Sequence, residues 1–206
     1  FDPESDLKLN ETGCWEIKKE IGKEIERYFD SRKEEGYWKK RKVMKYYGEL
    51  TKICNKYAKS AKSVVDIGSC NCEYISELDW IPEKVVLDIN DLPNIKDVKK
   101  IKIDFLNFKP LKKYDLVLCL QVLEHLDNPE VFAKKLFEVG KKVIISVPYM
   151  WQKNSCKRHK HDLINENKLF TWTKKEPRYS LIIQEPIKNK GRGFISKSKR
   201  LICYYE

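Results

Sequence analysis

The run Ser63 to Leu78, S-V-V-D-I-G-S-C-N-C-E-Y-I-S-E-L, constrains this chain more than any other. Val64 and Val65 read as a short buried strand, Asp66 as an acid near its exit, and Gly68 as the pivot of a tight turn. The residues that follow read as the start of a helix. Strand, glycine turn and helix in that order open the nucleotide-binding unit of an open α/β sheet.

The chain after this run alternates in short units. Val85–Asp88 reads as a second strand, Ile101–Ile103 as a weak third, and Asp115–Leu120 as a fourth, apolar enough for burial on both faces. Asn128 and Pro129 offer a cap and a first-turn proline for a helix through Phe132, Leu136 and Phe137 that stops at Gly140. Val143–Val147 is a fifth strand. This alternation predicts a parallel sheet with helices on both faces. Tyr149 to Asn167 is polar and irregular. Tyr179–Gln184 and Leu201–Tyr205 then read as two strands joined by a basic Gly191-Arg192-Gly193 turn region.

Upstream, residues 1 to about 10 read as a loose lead-in. Ile17, Ile21, Ile25 and Phe29 recur every four residues, which predicts a helix over Glu11–Phe29. Ser31 and Glu34 form a capping box for a second helix, with Val43, Tyr46, Tyr47, Leu50, Cys54 and Tyr57 as its apolar stripe. Residues 1–60 are thus expected as a helical segment packed on a domain spanning 61–206, one domain in all. That segment either covers the sheet edge or also acts as a lid over the site.

At 206 residues the chain can bury one full core, and 12% aromatic content excludes a disordered polymer. No apolar run approaches the ~20 residues of a membrane helix, so no membrane span is expected. The net charge of +11 is mostly lysine, in pairs such as Lys39-Lys40, Lys99-Lys100 and Lys141-Lys142. It reads as a solvated surface or, alternatively, as a groove for an anionic partner; arginine, the better phosphate reader, is scarce. The 7 cysteines form no C-x-x-C pair, so reduced thiols, a cytoplasmic setting and no cysteine metal site are expected. The chain starts at Phe1, from which we expect that a native start has been removed.

Ligands of such sheets sit beyond the carboxyl ends of the strands. The exits here carry Asp66-Ile67-Gly68-Ser69-Cys70, then Asp88-Ile89, then Asp104-Phe105, then Leu120-Gln121-Val122-Leu123-Glu124-His125-Leu126. Asp88 stands about 20 residues past Asp66, where an acid takes ribose hydroxyls. Taken singly, Asp66 could cap a helix and Asp88 or Asp104 could be ordinary turn acids. Their joint placement at successive exits is the stronger signal. In order and spacing, Ser63 to about Tyr149 resembles class I S-adenosylmethionine (SAM)-dependent methyltransferases, including the L-x-x-x-E-H-L-x-x-P phrase at Leu120–Pro129.

The glycine slots of that family's D/E-x-G-x-G-x-G motif read Gly68, Cys70 and Cys72 here. A side chain at the second slot obstructs a pyrophosphate, so NAD and FAD are disfavoured, whereas SAM has no phosphate to obstruct. A Walker loop is absent. The resemblance implies a Rossmann-like, seven-stranded, mostly parallel sheet with an antiparallel C-terminal hairpin strand. It implies SAM as cofactor and S-adenosylhomocysteine (SAH) as product. Asp66, Gly68, Ser69 and Cys70 would lie by the methionine half, Asp88 and Ile89 by the ribose, Asp104 and Phe105 by the adenine, and Leu120 and Gln121 beneath the sulfonium.

Methyl transfer needs the acceptor aligned at ~3–3.5 Å, and an oxygen acceptor must lose its proton, usually to histidine. His125, after the fourth strand, is the first candidate base; its alternative is a structural hydrogen bond. His159 and His161, beside Asp162, could fold over the same site or simply belong to a solvated loop. Tyr149, Trp151 and Trp172 are candidate acceptor walls, Tyr149 also a candidate catalytic group, and Lys153, Lys157, Arg158 and Lys160 lie close by in sequence. Some methyltransferases bind a divalent metal through E-x-x-E-H and a later histidine. Gln121 replaces the first acid here, so no metal is assigned.

The expected acceptor is therefore small and anionic, bearing phosphate, sugar or carboxylate, and methylated at O or N. The run from S-V-P-Y to W-T-x-x-E-P also looks, more loosely, like methyltransferases of bacterial surface-polysaccharide biosynthesis. The alternatives are an RNA methyltransferase and a methyltransferase-like binding module without turnover.

Overall fold

The protein is described from a computed structural model, covering residues 7–9, 15–17, 37–70, 73–154, 156–185, 188–189, 192–194 and 199–206. Strands β1 (Leu7–Leu9) and β2 (Trp15–Ile17) form an antiparallel ribbon, Leu7 opposite Ile17. The expected lead-in and first helix are corrected over these residues. Leu7/Leu9 and Trp15/Ile17 alternate at the period of a strand, a pattern that counting Ile17 and Ile21 by fours conceals. The rest of that helix, and the Ser31–Glu34 capping box, lie outside the described residues.

The next helix arrives in two pieces, α1 (Tyr37–Arg41) and α2 (Lys45–Ala58). Val43 falls in the break between them and is 80% exposed, so it leaves the expected apolar stripe. Tyr46, Tyr47, Leu50 and Cys54 are buried as that stripe requires, and Ile53 and Ala58 join them. The start of α2 is capped from a distance. The Glu185 carboxylate accepts the N–H groups of Lys45 (3.1 Å) and Tyr46 (2.6 Å), satisfying donors the helix cannot.

The main sheet is built from β3 (Ser63–Ile67), β4 (Glu83–Asp88), β5 (Lys99–Lys102), β6 (Tyr114–Leu120), β7 (Gly140–Pro148), β8 (Tyr179–Gln184) and β11 (Lys199–Tyr205). Its order is β5-β4-β3-β6-β7-β11-β8. β3 to β7 pair in parallel, and β11 inserts antiparallel between β7 and β8, with Leu201 opposite both Val147 and Ile182. This is the expected Rossmann-like, seven-stranded mixed sheet with its antiparallel C-terminal strand. A short ribbon, β9 (Lys188–Asn189) with β10 (Arg192–Phe194), lies between β8 and β11 in the chain.

Strand periodicity divides the core between two faces. Val65, Ile67, Val117, Cys119, Val143, Ile145, Leu201 and Cys203 meet helices α3 (Pro129–Val139) and α4 (Glu166–Thr173) through Phe132, Leu136, Leu169 and Trp172. Val64, Val86, Leu116, Leu118, Ile144 and Ile202 meet α2 on the other face.

Three local expectations are corrected. The helix after β3 is a single 3₁₀ turn, Tyr74–Glu77, because α2 already covers that face; Tyr74, Ile75, Leu78 and Ile81 pack between α2 and the sheet. Asn128 makes no side-chain cap bond at α3, although Pro129 does stand in its first turn. The helix does stop at Gly140 as expected, there in extended backbone (φ −113°) with no space for a Cβ, which would meet Val117 Cγ2 at 2.5 Å. Helix α4 lies partly within the stretch expected to be irregular. It starts on the Asn165 side chain, which accepts the Lys168 N–H at 2.9 Å, and buries only Leu169, Trp172 and Thr173, too short a stripe to read as a period.

Among the described residues, no helix is long and apolar enough to cross a membrane. The described cysteines, 54, 70, 119, 156 and 203, are all free.

Candidate active site

From β3 the chain moves outward to β4 and β5, then returns to β6 on the other side of β3 and continues to β7. The strand order therefore switches between β3 and β6, and a crevice opens at their carboxyl ends. A pocket lies there. The β3 loop contributes Asp66, Gly68, Ser69 and Cys70, and the β6 loop contributes Leu120, Gln121, Glu124 and His125. Trp151, Cys156 and His159 come from the segment after β7. Arg41, Tyr46 and Tyr47 come from α1 and α2, and Arg200 from the start of β11.

The β3 loop is held by backbone geometry. Gly68 has φ +73°, donates its N–H to the Leu87 carbonyl at 2.7 Å, and leaves no room for a Cβ, which would meet Val122 Cγ2 at 2.8 Å. Cys70 is also left-handed (φ +51°) and donates its N–H to Asp88 Oδ2 at 3.1 Å. Asp88 Oδ1 accepts the backbone and side-chain N–H groups of Asn90 at 2.9 and 3.0 Å. Asp88 thus ties the β3 and β4 exits together. Asp66 is 1% exposed, and its Oδ1 has no hydrogen-bond partner. Burial, then the nearby charge of Asp88, pushes its carboxyl well above the usual range. Such an oxygen is an unmet acceptor, and a cationic donor entering the pocket would satisfy it.

The β6 loop is anchored through Ser146 on β7. Gln121, left-handed at φ +59°, donates its backbone N–H to the Ser146 carbonyl (2.9 Å) and its Nε2 to Ser146 Oγ (3.2 Å). The Tyr46 hydroxyl shares that Oγ at 2.5 Å, which brings α2 into the site.

A 3₁₀ turn, Leu123–His125, then presents Glu124 and His125. His125 Nδ1 lies 2.9 Å from the Arg158 carbonyl oxygen. A carbonyl only accepts, so Nδ1 carries a proton; Nε2 lies 3.9 Å from Glu124 Oε1 and has a lone pair in the neutral ring. The segment after β7 is laced onto this turn, because the Glu124 carbonyl accepts the N–H groups of Lys160 (2.9 Å) and His161 (3.2 Å). His159 stacks on Trp151 (centroids 5.5 Å) and meets the His125 ring edge-on at 5.0 Å, its Nδ1 3.4 Å from Asp162 Oδ1. Glu124, His125 and His159 each offer one ligand atom, all within 4.8 Å of one another, an arrangement able to hold a metal ion.

The other expected residues lie elsewhere. His161 Nε2 donates to the Leu126 carbonyl at 2.9 Å, and its ring packs on Trp172 at 5.1 Å. Trp172 is core, and Tyr149 packs against that core with its hydroxyl raised by burial and then by Glu166; neither lines the pocket. Ile89 is 67% exposed, Asp104 caps a 3₁₀ turn by accepting the Leu106 N–H, and Phe105 is buried against Phe132 at 4.6 Å. Asp88, Ile89, Asp104 and Phe105 lie at or just beyond the ends of β4 and β5 and do not line this pocket. The reading of the sequence missed Arg41, Tyr46, Tyr47, Cys156 and Arg200. Arg200 had one readable signal: an antiparallel strand begins where its parallel neighbours end, so the first residues of β11 belong to the ligand edge.

No protein-family model matches the chain, and no curated protein is similar to it. Solved structures do match in fold. N-methyltransferase NodS from Bradyrhizobium japonicum WM9, in complex with SAH, superposes with a TM-score of 0.59 at 12% identity, covering 87% of this chain and 96% of that one. The 1,6-didemethyltoxoflavin-N1-methyltransferase of Burkholderia thailandensis, with bound 1,6-didemethyltoxoflavin and SAH, gives 0.64 at 12%, covering 89% and 84%. The methyltransferase domain of bacterial CtHen1-CN gives 0.53 at 19%, covering 77% and 96%. The fold of this chain is the Rossmann-like fold of SAM-dependent methyltransferases.

Proposed function

We propose that the chain is a SAM-dependent methyltransferase that modifies an oxygen or nitrogen of a small anionic acceptor. The observation that carries this reading is the buried, unpartnered Oδ1 of Asp66 at the strand-order switch, under a glycine turn with no space for a side chain. SAM carries an ammonium and a sulfonium and fits such a site better than a pyrophosphate would. Asp66, Gly68, Ser69 and Cys70 would hold its methionine half, with Asp88, Ile89, Asp104 and Phe105 along the outer wall and Leu120 and Gln121 at the centre. When bound, SAM supplies an electrophilic methyl group. The protein's part is alignment and proton removal. His125, its Nδ1 proton held by the Arg158 carbonyl, would in its neutral form take at Nε2 the proton an acceptor O–H or N–H gives up. His159, stacked on Trp151, narrows the same end of the pocket.

A second reading of these groups is favoured by the closeness of Glu124, His125 and His159. A divalent cation held there would bind the acceptor oxygen and lower its pKa. Activity surviving exhaustive chelation would reject it. Within the anionic class, a sugar- or phosphate-linked intermediate of surface-polysaccharide modification is the acceptor we favour, from the looser likeness of the run S-V-P-Y to W-T-x-x-E-P to methyltransferases of surface-polysaccharide biosynthesis.

Calorimetry with SAM and SAH tests the central reading. Micromolar binding of both is expected, and the absence of heat or thermal shift at millimolar ligand would sink it.

A further inference from the structure

Arg200 is an unusual residue to find at the wall of this pocket. It opens β11 opposite Pro148, at the carboxyl edge of β7, and is 5% exposed. Its guanidinium lies between two rings, 5.4 Å from the Tyr46 centroid and 5.8 Å from that of Trp151. These contacts hold it in place without neutralising it. Its Nη1 is buried and has no hydrogen-bond partner. The nearby acid, Glu185, spends its two carboxylate oxygens on the Lys45 and Tyr46 N–H groups, and no carboxylate of the described residues lies within ion-pair distance of Arg200. A second guanidinium, Arg41, lines the same pocket. Burial and the charge of Arg41 act to disfavour the proton on Arg200, and Tyr46, Tyr47 and Glu185 offset them only in part.

A buried charge is ordinarily paired. Two cations facing one cavity, one of them with an unused planar donor, describe a receptor that a ligand completes. Guanidinium forks match carboxylate and phosphate oxygens in geometry as well as charge. We infer that Arg200 and Arg41 form an oxyanion subsite that takes a carboxylate or phosphate group of the acceptor. This rests on the methyltransferase reading for the word acceptor and on geometry alone for the anion.

Two sources could supply that oxyanion: the acceptor, or the carboxylate of SAM itself. Position favours the acceptor. β11 stands three strand spacings from β3, through β6 and β7, roughly 14 Å across the sheet. Asp66 and the Gly68 turn lie at the β3 end, the Gln121–Ser146 link between them, and Arg200 beyond. The subsite also differs from the exposed lysines after β7, which the sequence alone suggested for the same task.

The test is thermal shift and calorimetry on the intact chain, with SAH, inorganic phosphate and acetate as probes and chloride at matched ionic strength as control. Phosphate or acetate should stabilise the unaltered chain beyond chloride. Arg200→Gln should weaken that binding at least tenfold, Arg200→Lys should give an intermediate loss, and SAH affinity should change less than about twofold. Arg41→Gln, at a half-buried position, should lose phosphate in the same direction if Arg200→Gln does not fold. Absence of any phosphate or acetate effect over chloride in the unaltered chain would overturn the subsite. A tenfold loss of SAH affinity in Arg200→Gln would overturn the acceptor assignment and give the arginine to the cofactor carboxylate. Phosphate binding without SAH binding would leave the anion subsite standing and remove the methyltransferase reading instead.

Discussion

At the β3 end of the pocket, the groups that face a ligand come from one run, Asp66 to Cys70, and are placed by backbone: a left-handed glycine, a left-handed cysteine and a carboxylate clamp from Asp88. At the β11 end they come from five separate stretches of chain, α1, α2, the β6 loop, the segment after β7 and β11 itself. Those are placed by contacts between distant stretches, some of them backbone bonds such as those of Lys160 and His161 to Glu124, and others side-chain packing, with Trp151 against His159 and Arg200 against Tyr46. The first end is a rigid receptor that can change little without losing its turn. The second can be rebuilt one side chain at a time. That division suits the function proposed above, in which the cofactor is fixed and the acceptor is particular.

The largest expected effect falls where the two ends meet. His125→Ala should lower the methyl-transfer rate about 10²–10⁴-fold while SAH binding holds; full activity would reject the base. Asp66→Asn should weaken SAM binding by about tenfold to a hundredfold, the range for a lost charged hydrogen bond. Unchanged affinity would show that the unpartnered oxygen has another purpose.

The same variant makes a pH prediction for the ligand-free chain. Asp66 has its folded pKa raised above the unfolded value of about 3.8, so the folded state holds the proton more tightly. Stability therefore falls as pH rises from about 3.8 toward the raised folded value. The Tm advantage of Asp66→Asn over the unaltered chain should grow with pH across that window, and a flat difference would contradict it. Gly68→Ala should cost about 1–3 kcal/mol, from left-handed backbone and the clash with Val122, read by denaturant midpoint. At the other end, the exposed pair of Lys160 with Asp127 at 2.6 Å should matter least: Asp127→Asn should change stability by less than about 1 kcal/mol. A loss of activity there would mean that the segment after β7 depends on its surface.

The rigid end was legible because its signals are contiguous. Val64-Val65, Asp66 and Gly68 are neighbours in sequence and in space, and the strands β4, β6 and β7 announce themselves by unbroken apolar runs. The packed end was legible only in fragments. Gln121, Glu124, His125 and His159 could be named because they flank strands, but nothing local says that His159 faces His125 while His161 turns to Trp172. Arg200 escaped because its meaning depends on β11 inserting antiparallel beside β7, a fact of topology. Tyr46 and Tyr47 read as core, which they are, and the spacing of a helix gives no hint that one core hydroxyl also reaches Ser146. The N-terminal reading failed over Trp15–Ile17 because three residues fit two periods at once.

One junction bears on how such a protein can change over time. Helix α3 ends at Val139 and β7 begins at Gly140, with no residue between them. Elsewhere an inserted residue could be absorbed in a loop. Here it would shift β7 by one position and turn each of its side chains to the opposite face. Ser146 would leave Tyr46 and Gln121, and Ile145 would take its place beside them. Homologues of this chain should therefore vary in length after β7 and around the β9–β10 ribbon, yet keep the distance from Pro129 to Ser146 unaltered.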